Sequence, residues 1–152
     1  MGRVNAFVSA GAGFLAAVLW FDLMFDVQVA AHRQGAVPEP VLASIAGYYA
    51  RVTTAARPMN RLIATVMLAT LAATVVELIH GSPARWVSIA SLALAAFAIG
   101  LAGARIVPSA VRLGARGETV EAESALARAI FRGHLLCLLA IAGVLVLQLG
   151  FA

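Results

Sequence analysis

Four stretches of the chain carry no charge and are dominated by apolar residues. They are Val4–Phe21 (18 residues, including Asn5), Leu62–Val76 (15), Trp86–Ala104 (19) and Gly133–Ala152 (20, broken only by His134 and Gln148). A helix needs about 20 such residues to cross roughly 30 Å of hydrocarbon. The pattern therefore predicts an all-α polytopic membrane protein: a single domain over residues 1–152, built as a four-transmembrane-helix bundle. The expected helices cover about 4–30, 58–80, 85–107 and 128–151. No small-x-small cleavage site follows the first run, so it reads as a retained helix and not as a leader.

The connections have patterns of their own. In "PEPVLASIAGYYARVTTAARP", Val41, Leu42, Ile45, Tyr48, Tyr49 and Val52 fall near one helical face behind Glu39 and Pro40. This predicts an interfacial amphipathic helix over about 40–56, with both tyrosines at headgroup depth. It should run into the second transmembrane helix with a kink at Pro58. In the later connection, a turn is expected at Gly114–Gly117, with Thr119 capping a helix that continues into the fourth span. Pro108 is expected to kink or end the third. Ala96, Gly100 and Ala104 recur at four-residue spacing, the first helix carries Gly11 and Gly13, and such small residues let helices approach closely in lipid.

Composition narrows the class without changing it. The chain is 62% hydrophobic and 12% charged, too little charge to cover a soluble domain of 152 residues. All 11 basic residues are arginine, and the pI is near 10.6. In a membrane protein this basicity marks orientation and lipid-headgroup contact, not nucleic acid. Nine arginines lie in the two long connections and two, Arg3 and Arg85, on the other side. The expected location is a cell membrane of inner-membrane type, crossed several times, with both termini outside the cytoplasm. The single cysteine, Cys137, excludes paired-thiol redox chemistry.

Polar residues at membrane depth carry the candidate chemistry. Asp22 and Asp26 end the first helix one turn apart, on one face. By length along their helices, Arg57, Asn60, Arg61, Arg105, Arg132 and His134 lie at nearly the same level, so a polar pocket near the cytoplasmic face is expected. Asp22 should face the bundle interior within reach of Arg61, Arg132 or His134, and Asp26, a turn nearer water, should be the more exposed. In a purely structural reading, an aspartate pairs with Arg61 or Arg132 and pins the helices together. In the functional reading, Asp22 and Asp26 are acid–base or metal groups, His134 is a proton-transfer group or ligand, and Arg61, Arg132 and Asn60 bind a lipophilic or anionic ligand. No cofactor is named by the sequence, and whether a metal is bound stays open. Two other functions fit the pattern: a proton-coupled transporter or oligomeric pore using Asp22 and Glu77, and a non-catalytic subunit of a membrane complex. The expected partners are membrane lipids and either further copies of the chain or another membrane protein. At the far end of the second helix, Glu77 is expected to pair with Arg85 or Gln148. The D-x3-D spacing resembles part of the metal-binding motifs of prenyl and CDP-alcohol transferases, but "FDLMFDVQ" has neither the second carboxylate pair nor the Asn or Gly-Arg elements of those motifs.

Overall fold

The computed structural model describes residues 2–55, 57–80 and 85–152, and the side chains of residues 2, 3 and 57 are outside that description. Six α-helices follow in order: α1 (Gly2–Asp26), α2 (Glu39–Tyr49), α3 (Arg57–His80), α4 (Arg85–Leu101), α5 (Val107–Ala115) and α6 (Val120–Gly150). A 3-10 turn, Val27–Val29, extends α1. Two π segments, Ala50–Ala55 and Ala102–Ile106, follow α2 and α4. Four helical stretches are long and apolar enough to cross a membrane: Val4–Val29, Pro58–His80, Arg85–Ala115 and Val120–Gly150.

The π segments explain how the chain passes its prolines. Pro58 and Pro108 each lack an N–H, and their rings crowd the carbonyl four residues back, at Thr54 and Ala104. Both of those residues sit in π segments, whose wider turn moves the carbonyl away. The third membrane helix therefore continues through Pro108 as α4, a π segment and α5, and does not stop there. At the first junction Asn60 Nδ2 donates to the Thr53 carbonyl at 2.7 Å, and Thr53 Oγ1 donates to the Tyr49 carbonyl at 2.6 Å.

Each membrane helix packs on the next, in the order α1, α3, α4 and α6, and α6 closes the ring on α1. Among the described residues the diagonal pairs, α1 with α4 and α3 with α6, do not bring their backbones together. The core runs through Val8, Ala12, Leu15, Ala95, Ala98, Ile141 and Val144, all buried. Gly11 makes the closest approach: a Cβ there would collide with Thr70 Oγ1, so only glycine lets α1 and α3 meet at this point. The small-residue face of α4, by contrast, points outward at Ala96 and Gly100, and Ala104 is likewise exposed.

α2 lies across one end of the ring. It buries Leu42, Ile45, Ala46 and Tyr49 against α1, α5 and α6, so the amphipathic face seen in the sequence is covered by protein. Polar ties fix it there. Arg116 bonds Glu39 (2.6 Å) and Glu123 (3.2 Å), Arg128 donates to the carbonyls of His32 and Gly35, and the Val37 N–H donates to Ser124 Oγ at 2.9 Å. Gly114 admits the backbone of Ala50 at a distance a Cβ would forbid. Thr119 caps α6 by accepting the Ala122 N–H at 3.3 Å. The consequence is positional: α2 holds two tyrosines over the end of α1.

Candidate functional site

Where α1 ends under α2, five side chains converge. Asp22 and Asp26 come from consecutive turns of α1, Tyr48 and Tyr49 from the last turn of α2, and His134 from α6, directly after Gly133. The Tyr48 hydroxyl donates to Asp22 Oδ1 and the Tyr49 hydroxyl to Asp26 Oδ1, both at 2.6 Å. His134 Nδ1 lies 2.6 Å from Asp26 Oδ2. Because Asp26 also accepts from Tyr49, the proton of that short bond belongs on Nδ1, an assignment that follows from the network. The other ring nitrogen, Nε2, stands 3.7 Å from Asp22 Oδ2, too far for a hydrogen bond.

The two aspartates differ in surroundings. The Asp26 side chain is fully buried and that of Asp22 is 15% exposed. This reverses the expected order. Depth along α1 does put Asp26 nearer the helix end, but α2 folds over that end and seals it. Asp22 meets the expectation that it lies within reach of His134, and it lines an internal cavity. Burial, reinforced by the neighbouring carboxylates, pushes the phenols of Tyr48 and Tyr49 well above their ordinary value near 10, so both stay protonated donors. The Tyr48 ring also stacks on Phe25 with centroids 4.0 Å apart.

The cavity has a volume of about 690 Å³ and is walled by all four membrane helices and α5. It fills the space left because α3 and α6 stay apart. Its walls are apolar, including Phe14, Leu19, Ile63, Met67, Ile99 and Ile141, and its polar groups gather at the end that carries Asp22, Tyr48 and His134. Five lining residues, Phe21, Phe25, Met59, Val107 and Val111, are also exposed on the outer surface, so the cavity reaches the side of the bundle. Cys137 lines it one turn beyond His134, its thiol donating to the Ala98 carbonyl.

Of the residues singled out from sequence, Asp22, Asp26 and His134 come together, and Asn60 lines the same cavity with its amide N–H engaged by Thr53. Arg61 and Arg132 do not join them: both are exposed and neither lines the cavity. Their level along the axis was right, but Arg61 is rotated about 100° from Asn60 and Arg132 about 200° from His134. The aspartates find tyrosines and a histidine in place of arginines. The amphipathic helix predicts Tyr48 and Tyr49 beside the ends of the membrane helices, and the structure adds their partners, the aspartates of α1. A signal for their real neighbours was the adjacency of two hydroxyl-bearing aromatics to a connection that must bring them back to the end of α1.

A second polar cluster occupies the opposite end. Gln148 Nε2 donates to Glu77 Oε2 (3.0 Å) and Ser91 Oγ (3.1 Å), which ties α6 to α3 and α4. Asn5 reaches the Gln148 carbonyl at 3.4 Å. The pairing of Glu77 with Gln148 is one of the two partners expected from sequence; Arg85 is exposed. Among the described residues, no group of three or more His, Cys, Asp or Glu side chains is arranged to hold a metal ion.

No curated protein and no solved structure matches the chain. One family model does, and it spans residues 4–152, nearly the whole sequence. Four apolar membrane-length helices in a closed ring and a match of that extent lead to one conclusion: this multi-pass membrane protein belongs to the SHR3 chaperone family, described as ER membrane protein SH3.

Proposed function

We propose that this is a membrane-embedded binding protein of chaperone type, whose cavity receives an apolar element of a partner membrane protein sideways from the lipid. The observation that carries this reading is the cavity itself. It has about 690 Å³ of space, apolar walls, a mouth at Phe21, Phe25, Met59, Val107 and Val111 on the outer surface, and a polar end at Asp22 and His134. Such a volume lies within the range of roughly 300–1,000 Å³ typical of ligand sites, enough for several side chains of a helix but not for the helix itself. The family's chaperone name points to a protein guest.

A second reading is favoured by one detail. Asp26 orients His134 through Nδ1 and leaves Nε2 turned toward the cavity, the arrangement of a positioned general base. On that reading the guest is a small lipophile, and Asp22, Asp26 and His134 handle a proton on it. Transport gains no such support, since Asp22 and Glu77 belong to separate clusters with the buried layer of Val8, Ala12, Leu15, Ile141 and Val144 between them.

For location, the family description favours the ER membrane over the expected cell membrane. The arginine count of nine against two goes with connections on the cytoplasmic side and termini on the opposite one.

A photo-reactive amino acid in place of Met67, irradiated in native membranes, tests the main reading. Adducts with polytopic membrane proteins are expected, and they should disappear when Ala102→Trp fills the cavity. Adducts with lipid alone, or protein adducts untouched by the filled cavity, would overturn it.

A further inference from the structure

Resting on the reading of the cavity as a binding site, we infer that its guest carries a protonated amine on an apolar chain, and that Asp22 and His134 receive the ammonium group between them. Three observations point there.

The polar end of the cavity is an acceptor site. His134 is buried, its Nδ1–H is committed to Asp26, and its Nε2 has no hydrogen-bond partner although it belongs to a side chain that lines the cavity. Asp22 Oδ1 accepts from Tyr48, while Oδ2 stands 3.7 Å from Nε2. Two acceptors at that separation cannot bond one another. A single donor atom about 2.8 Å from each fits between them, and an ammonium nitrogen has separate hydrogens for both.

The charge balance favours a cation. Two carboxylates face one imidazole, so the cluster holds more acid than base. Asp26 accepts hydrogen bonds from both His134 and Tyr49, whereas Asp22 accepts one, from Tyr48. An unmatched carboxylate at this depth is costly, and a guest's positive charge offsets that cost. Among the described side chains at this level, Arg61, Arg105 and Arg132 are exposed and none lines the cavity, so they form no clamp for an anionic guest.

The walls suit the rest of such a guest. Tyr48 and Phe25 stack beside Asp22 and offer aromatic faces to a cation, and the space beyond is apolar. The amine has two sources: a free long-chain amine, or a lysine side chain on the membrane helix of a client.

The test uses the full chain in nanodiscs of neutral phosphatidylcholine, with Cys137 as reporter. It is the chain's one cysteine and lines the cavity but is buried, so its labelling by N-ethylmaleimide is first driven to completion in the guest-free protein, and a guest should slow it. Dodecylamine, dodecanol and dodecanoate are compared at equal mole fraction in the bilayer. Dodecylamine is expected to shield Cys137 at least about tenfold more effectively than dodecanol, with dodecanoate weakest. Asp22→Asn should bring amine and alcohol to parity, and a thermal unfolding transition close to that of the wild type shows that the variant is folded. Equal shielding by amine and alcohol in the wild type, or an amine preference that survives Asp22→Asn, overturns the inference and leaves the cavity reading standing. Shielding by none of the three overturns both. An apolar helical peptide of about twenty residues with one central lysine, set against its leucine counterpart, identifies the source. Preferential shielding by the lysine peptide assigns the amine to a client helix. Shielding by dodecylamine without that preference assigns it to a lipid amine.

Discussion

The two polar clusters sit at opposite ends of the same bundle, use similar residue types, and are built for different ends. At the Glu77 end, one acid meets one amide: Gln148 bridges Glu77 and Ser91, and none of the three lines the cavity. Every bond there joins one membrane helix to another. At the Asp26 end, two acids meet two phenols and an imidazole, and one face of the group is left open to about 690 Å³ of apolar space. What distinguishes a candidate site from a helix tie in this protein is therefore not the presence of buried acid. It is the presence of an acceptor whose partner the fold does not supply. Nε2 of His134 is such an atom, on a side chain that lines the cavity. Gln148 Oε1 is another orphan, but it is buried and Gln148 does not line that cavity.

The sharpest break in this comparison comes from Asp26. Its side chain is fully buried and accepts from both Tyr49 and His134. Asp26→Ala strands both donors in a dry interior, and removing one member of a buried ionic group costs about 3–5 kcal/mol. Thermal unfolding of the purified protein in detergent should show the loss, with Asp26→Asn intermediate. A cost no larger than that of a surface substitution would mean that the end of α1 is wet and that α2 does not seal it.

Much of this arrangement is legible in the sequence, and what is not has a common cause. The four runs gave the four spans because length and hydropathy are local properties of the chain. The Glu77–Gln148 pair was foreseeable because a short apolar run forces Glu77 to membrane depth, where it needs a partner. The capping of α6 by Thr119 is equally local. Position around a helix axis is another matter. Arg61 and Arg132 were placed at the right level and on the wrong side, since single-sequence spacing does not say which face of α3 or α6 turns inward. The order of burial of Asp22 and Asp26 failed for the same kind of reason. It depends on α2 returning over the end of α1, which rests on long-range ties such as Arg128 to the carbonyls of His32 and Gly35. The partners of Tyr48 and Tyr49 are not legible either, because an amphipathic face is the same in sequence whether lipid or protein covers it.

Those tyrosines sharpen the comparison from the other side. They are the only two in the chain, so phenolate absorbance reports on this cluster and on nothing else. Burial and the adjacent carboxylates hold both phenols above the ordinary value of about 10. In the folded protein an alkaline titration should therefore show no phenolate at a pH where free tyrosine is half ionised. The sign for stability follows. A folded-state value above the unfolded one gives stability that is complete below about pH 10 and is lost as pH rises beyond it toward the folded value. Phenolate appearing at ordinary pH in the folded state would show that the aspartates are not where these hydroxyls point. The Glu77 end, with no tyrosine, contributes nothing to this titration.

Between the two clusters, Gly11 sets how closely α1 and α3 approach. Gly11→Ala drives a methyl into Thr70 Oγ1 and should cost about 1–3 kcal/mol, the usual penalty for overpacking. The hydroxyl of Thr70 is buried without a partner, so Thr70→Ala alone should be close to neutral and should rescue Gly11→Ala. Thermal unfolding of the double variant measures the rescue. A double variant no better than Gly11→Ala would place the crowding elsewhere in the α1–α3 contact.

The smallest effect is expected at the far cluster, from Glu77→Gln. The substituted amide keeps an oxygen where Glu77 Oε2 accepts from Gln148 Nε2, and its own N–H faces the region of Gln148 Oε1, which now lacks a donor. Side-chain hydrogen bonds between membrane helices average only about 0.6 kcal/mol, so the change in unfolding temperature should be slight in either direction. Shielding of Cys137 by dodecylamine should be unchanged, because nothing in this cluster touches the cavity. Asp22→Asn is the same chemical replacement, one carboxylate for one amide, and should abolish the amine preference. If Glu77→Gln instead weakened guest binding as strongly as Asp22→Asn, the two ends would be energetically coupled through the buried layer between them. The separation of a helix tie from a binding site would then fail.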